Sequence, residues 1–452
     1  MPDINAGNTA WVLVCAAMVL LMTPALAFFY GGMTRSKSVL NMMMMSFGAL
    51  GLVSIIWVLW GYSMAFGADV GGGLVGSPTE FFGLKGLMTE VVGAEMDDAG
   101  NAVAGTGIPA YAFVAFQAVF AIITVALISG AIADRAKYGA WLVFAVVWAT
   151  LVYFPVAHWV WGEGGWILDK IEAVDFAGGT VVHINAGVAA LALALILGKR
   201  IGFGKVPFRP HNVPFVMLGA GLLWFGWFGF NAGSALAADG TAAVAWVMTL
   251  VATAAASLAW MATEKIRDGH ATSLGAASGV VAGLVAITPA CSSVDALGAV
   301  VIGIVAGVLC ALAVGLKYRW GYDDSLDVVG VHLVGGIVGT LMIGLVAVEE
   351  APAGVVGLFY GGGLDQLGKQ AVAAGAVIVF SFVVTLIIGL VIHKTIGFRV
   401  SGDDEIQGVD LTTHAETAYE LSDATYGGHF AGGGPGGAVK AGVSAAKEGV
   451  SA

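Results

Sequence analysis

Val181-Val182-His183-Ile184-Asn185-Ala186-Gly187 and Gly330-Val331-His332-Leu333-Val334-Gly335-Gly336 each hold a histidine inside an apolar run, followed four residues later by glycine. An ionisable side chain in hydrocarbon is costly, and where one is kept it faces a partner, a substrate path or a water-filled cavity. Two of them in matching surroundings read as a pair. The runs fall in the fifth and tenth of eleven stretches long enough to cross a bilayer, which takes roughly 20 residues each. These lie near 8–32, 38–66, 109–132, 138–158, 178–198, 213–235, 241–263, 272–290, 294–316, 328–348 and 370–395.

Composition agrees, with 58% hydrophobic and 11% charged residues and a mean hydropathy of +0.90 over 452 residues. A soluble domain carries about 25% charged residues. The 68 glycines matter because small residues let helix backbones approach where no hydrophobic force drives association. Cys15, Cys291 and Cys310 are too few and scattered for a disulfide framework or a metal site, and read as small core residues. The net charge of −11 excludes nucleic acid as a partner, since a phosphate-binding surface needs a basic face.

Orientation follows from the basic residues, because cytoplasmic loops carry the Lys and Arg excess. With the N-terminus outside, the cytoplasmic turns hold Arg35, Lys37, Arg135, Lys137, Lys199, Arg200, Lys205, Arg209, Lys265, Arg267, Lys317 and Arg319. The tail adds Lys394, Arg399, Lys440 and Lys447, against only Lys85, Lys170 and Lys369 on the other side. Ala25-Leu26-Ala27 resembles a signal-peptidase site, but the leading segment carries Asp3 and no basic residue, so the first helix is expected to be retained.

Aligning Val182-His183-x-x-x-Gly187-Val188 on Val331-His332-x-x-x-Gly336-Ile337 places five crossings between the copies. An odd number of crossings turns the second copy upside down, which puts equivalent residues near the midplane. A weaker echo sets Phe28-Phe29-Tyr30-Gly31-Gly32 in the first segment against Phe228-Gly229-Phe230-Asn231-Ala232-Gly233 in the sixth. The expected fold is thus an all-α polytopic membrane protein: eleven transmembrane helices, an inverted 5+5 helix repeat plus a final helix. Residues 1–396 form the membrane domain and 397–452 a cytoplasmic tail, docked to about 421 and flexible after, where Gly427 to Ala452 is rich in Gly and Ala.

Asp175-Phe176-Ala177-Gly178-Gly179-Thr180-Val181-Val182-His183-Ile184-Asn185-Ala186-Gly187 resembles the signature of the ammonium transporter (Amt/MEP/Rh) family, on its Amt branch. Ala157-His158-Trp159-Val160-Trp161-Gly162, Gly226-Trp227-Phe228-Gly229-Phe230-Asn231-Ala232-Gly233-Ser234, Gly279 to Cys291 and Asp327 to His332 are similar to further family motifs, in family order. The resemblance spans the first helix to about Leu421. It implies transport of ammonium or ammonia, and of methylammonium, into the cell through the plasma or inner membrane, by a transporter and not an enzyme, without cofactor or metal.

The resemblance also implies the roles. His183 and His332 are the pore-lining pair; Trp161, Phe120, Ser234 and Asp175 recruit ammonium; Phe120 and Phe230 form a gate below; Trp227 is a pore wall. The chemistry suits the residue types. A bare cation cannot cross hydrocarbon unaided, aromatic faces attract a desolvated cation, and two imidazoles sharing a hydrogen bond make a proton relay near neutral pH. Asp175 reads equally as a helix N-cap. The resemblance further implies a homotrimer with lipid around it and a PII-type nitrogen-signalling partner at the cytoplasmic face. Asp323, Asp324 and Asp327 read either as a solvated loop end or as a link to the tail. Two other functions use the same residues: an ammonium sensor with little conduction, and a membrane cytochrome with His183 and His332 as axial haem ligands. Electrogenic transport and ammonia gas conduction are both compatible with the sequence.

Overall fold

A computed structural model describes residues 4–94, 103 and 105–419 of the chain; the Gly- and Ala-rich stretch from Gly427 to Ala452 lies outside them. The described part is a helical membrane bundle. In chain order its apolar helices are α1 (Ala6–Met33), α2 (Val39–Phe66), α3 (Ala110–Ile132), α4 (Tyr138–Trp161), α5 (Gly179–Leu197), α6 (Val213–Gly233), α7 (Gly240–Asp268), α8 (Ser273–Ile287), α9 (Ala296–Trp320), α10 (Val329–Val346) and α11 (Asp365–Thr395). Several begin at a polar residue whose side chain accepts an amide of the first turn at 2.7–3.0 Å: Asn5, Asn212, Asp239, Thr272 and Asp295. Such caps satisfy donors that hydrocarbon would leave bare.

The eighth helix is shorter than its sequence suggests, stopping at Ile287 instead of continuing to 290. Pro289 has no amide hydrogen to donate to a carbonyl of the preceding turn, so the helical ladder ends there although Thr288 keeps helical angles. At 1.5 Å per residue, α8 spans roughly 22 Å, less than the hydrocarbon core. The turn after it is enclosed, with Thr288, Ala290, Cys291 and Ser293 at 0% exposure. Irregular backbone is tolerated at such a place because protein, not lipid, surrounds it.

The inverted repeat is written in the packing of its glycines. A Cβ on Gly187 of α5 would stand 2.4 Å from the Leu333 nitrogen, and one on Gly336 of α10 would stand 3.1 Å from the Ile184 nitrogen. Each glycine therefore meets the residue after the opposite histidine, and numbers rise on one helix as they fall on the other, the mark of antiparallel neighbours. Both helices also open with a π-helical turn that holds the histidine, Gly179–Ile184 and Val329–Leu333. The same sense of packing joins α1 to α6, where Gly219, Gly226 and Gly233 lie on Phe29, Met22 and Cys15.

Past α11 the chain returns along the face that holds the 34–38 and 199–211 loops. The Lys137 amide donates to the Phe398 carbonyl at 2.9 Å and Val400 to Arg135 at 3.0 Å, while the Phe398 ring lies buried 5.8 Å from Phe144. A short helix, α12 (Gly402–Gln407), carries buried Glu405, which accepts from Arg399 Nη2 and the Ile201 amide, both at 2.7 Å. Asp410 then caps α2 from a distance, accepting from the Leu40 and Asn41 amides at 3.0 and 2.7 Å.

Candidate functional site

On the face opposite the tail, the ends of α3, α4 and α6 enclose a cavity of about 290 Å3. Phe120, Trp161 and Ser234 line it, as do Gln117, Phe176 and Leu236. The Trp161 indole donates to the Asp175 carbonyl at 2.8 Å, and this fixes the ring edge-on to Phe120 at 6.1 Å. The Ser234 hydroxyl donates to the Phe230 carbonyl at 2.8 Å. Its only hydrogen thus engaged, the oxygen keeps lone pairs that accept from a donor in the cavity.

Below the cavity Phe120 and Phe230 stack at 4.0 Å and 22°, both about 1% exposed. Beneath them lies His183, whose ring centre is 6.2 Å from that of Phe230 and 5.3 Å from the nearly parallel Trp227. His183 and His332 meet through their Nδ1 atoms at 3.3 Å, at 1% and 3% exposure. One nitrogen must donate and the other accept, so the pair shares a single proton at this contact. The space beside the rings, about 10 Å3, has room for one water-sized molecule and is walled by apolar side chains such as Leu26, Ile123 and Val281. Axial ligation of one haem by both residues would hold the rings apart, whereas here they touch.

Asp175 does not line the cavity. Its carboxylate accepts from the amides of Gly178, Gly179, Thr180 and Val181 at 2.6–3.2 Å and from the Thr180 hydroxyl, so it caps α5 and fixes the turn that carries His183. It reaches the cavity only through its carbonyl, by way of Trp161. Trp227 likewise is held from behind: its indole donates to Thr288 Oγ1 at 2.7 Å, Asn231 Oδ1 lies 3.3 Å from the same hydroxyl, and Asn231 Nδ2 donates to Thr249 Oγ1 at 2.8 Å. Sequence reasoning named neither this chain of polar groups nor Gln117. Gln117 had a signal, as the one amide side chain in the apolar run from Ala110 to Ile128 and nearly a turn before Phe120.

At the other end of the bundle the acidic run is not a solvated loop end. Asp323 and Asp324 are 0% and 1% exposed; only Asp327 is partly open, in an ion pair with Lys317 at 2.6 Å. Asp323 takes Arg200 Nε and Nη2, each at 2.9 Å, and its carbonyl takes Arg135 Nη2 at 2.6 Å. Burial alone would raise the Asp323 carboxyl, but the Arg200 bonds hold it below the usual carboxylate value. Asp324 accepts the Val329 amide at 2.7 Å, capping α10, and burial with Asp327 nearby pushes it up to about 6 despite Lys317. Because its folded value is raised, the folded state binds this proton more tightly, and stability from this group is lost as pH rises through about 4 to 6. Asp324→Asn keeps the accepting oxygen and removes the titration. Relative to the variant, the wild type is expected to gain stability on going from pH 7 to pH 4, by linkage. Melting curves in detergent at both pH values measure this, and parallel behaviour of the two proteins contradicts it.

Comparison with known proteins agrees with this architecture. Residues 10–419 match the Ammonium Transporter Family. An ammonium transporter of Mycobacterium tuberculosis (strain ATCC 25618 / H37Rv) is 61% identical over 443 residues, covering 94% of this chain and 92% of the relative. Among solved structures, Saccharomyces cerevisiae Mep2 superposes with a TM-score of 0.82 at 34% identity, covering 93% of each chain. A protein described as a sensor Amt protein gives a TM-score of 0.80 at 29% identity, covering 90% of this chain and 98% of its own. With ten helices among the described residues long and apolar enough to cross a bilayer, a shorter eleventh, and this likeness along nearly its whole length, the chain is a multi-pass membrane protein that belongs to the Ammonium Transporter Family.

Proposed function

We propose that the protein carries ammonium into the cell, N-terminus outside and tail in the cytoplasm, across the plasma or inner membrane. One observation carries this reading: two buried histidines in direct Nδ1 contact at 3.3 Å, directly beneath a stacked phenylalanine pair and an aromatic cavity. Ammonium, or methylammonium, settles in the outer cavity against the faces of Trp161 and Phe120, with an N–H donated to Ser234. An alkali ion has no hydrogen to give, so the hydroxyl discriminates. Asp175 acts on this site by holding Trp161 and the start of α5. The cation gives up its proton at the Phe120 and Phe230 gate, since the apolar space beyond offers no solvation for charge. Ammonia then passes His183 and His332, with Trp227 as a wall, and is protonated again inside.

Reconstitution into proteoliposomes tests the whole reading. An ammonium gradient should drive uptake well above that of empty vesicles, and the charge moved per ammonium distinguishes a proton that follows along the histidines from one left outside. The likeness to a sensor Amt protein favours a second reading, binding with little conduction. Saturable binding without flux would establish that reading and overturn transport.

The membrane domain ends at 396 and the tail docks to about 421 in this proposal, with the remainder dispensable. A homotrimer in lipid, with one pore per subunit, and a PII-type protein seated on the cytoplasmic face complete it. The contacts of Phe398, Glu405 and Asp410 support the docked segment. Truncation after Leu421 is therefore expected to leave methylammonium uptake and PII-type binding nearly unchanged, whereas truncation after Arg399 uncovers the start of α2 and impairs both. Loss of partner capture in the milder truncation would move the boundary outward.

A further inference from the structure

On the face that carries the tail, between the 34–38 loop and the 199–211 loop, lies an open pocket of about 610 Å3 that transport does not use. Its wall brings together Arg35, Lys37, Arg209 and His211 with the Ser36 hydroxyl. The preference of basic residues for one side of a membrane explains their number. It does not explain why four of them, brought from two loops far apart in sequence, converge on one concavity.

The frame is rigid. Pro207 and Pro210 bracket Phe208, whose ring lies under two guanidiniums, Arg35 at 5.4 Å and Arg200 at 4.2 Å. His211 is tied to the Thr34 carbonyl through Nδ1 at 3.1 Å. Positive charge is left in excess. Asp134 is shared between Arg35, at 3.3 Å, and Arg200, at 3.1 Å; Asp323 is taken by Arg200 and Glu405 by Arg399. Among the described residues neither Lys37 nor Arg209 has a carboxylate partner, and Lys37 reaches only the Ile406 carbonyl. Arg35 Nη2 is buried with no hydrogen-bond partner. A guanidinium nitrogen left in that state costs free energy until an acceptor arrives. The crowding is visible in Lys37, whose ammonium burial, followed by the charge of Arg35, holds below the usual lysine value.

We propose that this pocket binds a phosphate group, with Arg35 and Arg209 as guanidinium clamps, Lys37 as a point charge and Ser36 as a neutral donor. Guanidinium forks match phosphate oxygens two at a time, and lysine adds charge without geometric demand. The pocket is wide enough for a phosphorylated small molecule, and its place at a membrane-facing loop also suits the headgroup of an acidic phospholipid. Both sources present the same oxygens.

The test uses the full-length protein in neutral detergent at constant ionic strength, with inorganic phosphate, ATP, and nanodiscs of phosphatidylglycerol or phosphatidylcholine as probes. Lys37→Gln with Arg209→Gln removes two rim charges and spares Arg35, whose loss from the Asp134 network endangers folding. Lys85→Gln, on the opposite face, serves as control. The wild type should bind phosphate or ATP saturably, or prefer phosphatidylglycerol over phosphatidylcholine. The double variant should bind about tenfold or more weakly, since each lost charge-assisted hydrogen bond is worth roughly that factor. Binding of the soluble probes identifies a free phosphorylated ligand, and a preference confined to nanodiscs identifies a lipid headgroup. If no probe binds the wild type, or if the double variant binds as tightly as Lys85→Gln, the pocket is not a phosphate site.

Discussion

His183→Ala is expected to cut ammonium conduction about a hundredfold and to alter its dependence on pH, while the protein still folds and inserts. The size follows from what is removed: a positioned proton donor or acceptor contributes roughly 10²–10⁴ where proton transfer limits the step. The imidazole is one half of the 3.3 Å contact with His332 and lies against the Trp227 ring at 5.3 Å. Stability should fall by only about 1–3 kcal/mol, the cost of leaving the His332 nitrogen without its partner. His332→Ala should act in the same direction, and the double variant little more than either single one, because the two rings act as a unit. Methylammonium uptake by reconstituted protein at several pH values decides the matter. Wild-type uptake with an unchanged pH profile would falsify the relay.

Trp161→Leu is the second large effect, and it should appear in apparent affinity. Loss of a ring face that attracts a desolvated cation by about 2 kcal/mol raises the half-saturating concentration about 30-fold and weakens discrimination against sodium. Its neighbour Trp159 gives the contrast. That indole donates to the Leu74 carbonyl at 2.8 Å and packs on Phe380 at 4.6 Å and Trp166 at 5.6 Å, away from the cavity. Trp159→Leu should therefore lower the melting temperature and leave affinity nearly intact. Equal shifts in affinity from both would mean that the cavity is not where ammonium is recruited.

The histidines were legible because an ionisable residue in an apolar run is expensive, and because each is followed at the same interval by a glycine that the helix crossing requires. The crossings were legible because hydrocarbon demands length and apolarity from every one of them; α8 stops three residues short of its apolar run because Pro289 acts through the backbone, not through hydropathy. The aromatic residues were another matter. With 23 Phe and 13 Trp in the chain, no periodicity singles out Phe120, Phe230 or Trp161, and only motif resemblance did. Polar networks were least visible. Trp227 finds Thr288 61 residues away and Arg200 finds Asp323 123 residues away, so neither residue carries a local mark of its partner. For the same reason a run of three aspartates looked as much like a wet loop as like the buried anchor of α10.

The antiparallel crossing of α5 and α10 brings the two imidazoles together through the same ring atom, so in the proposed path the shared proton can sit on either ring. In the proposed transport, control of movement then falls to the rims, and these differ: one has an aromatic cavity above stacked phenylalanines, the other a lattice of arginines and aspartates with the tail laid across it. Were the protein to conduct as proposed, net flow would follow the gradient, and a cell that must not leak nitrogen when ammonium outside runs low would have to close one of those rims.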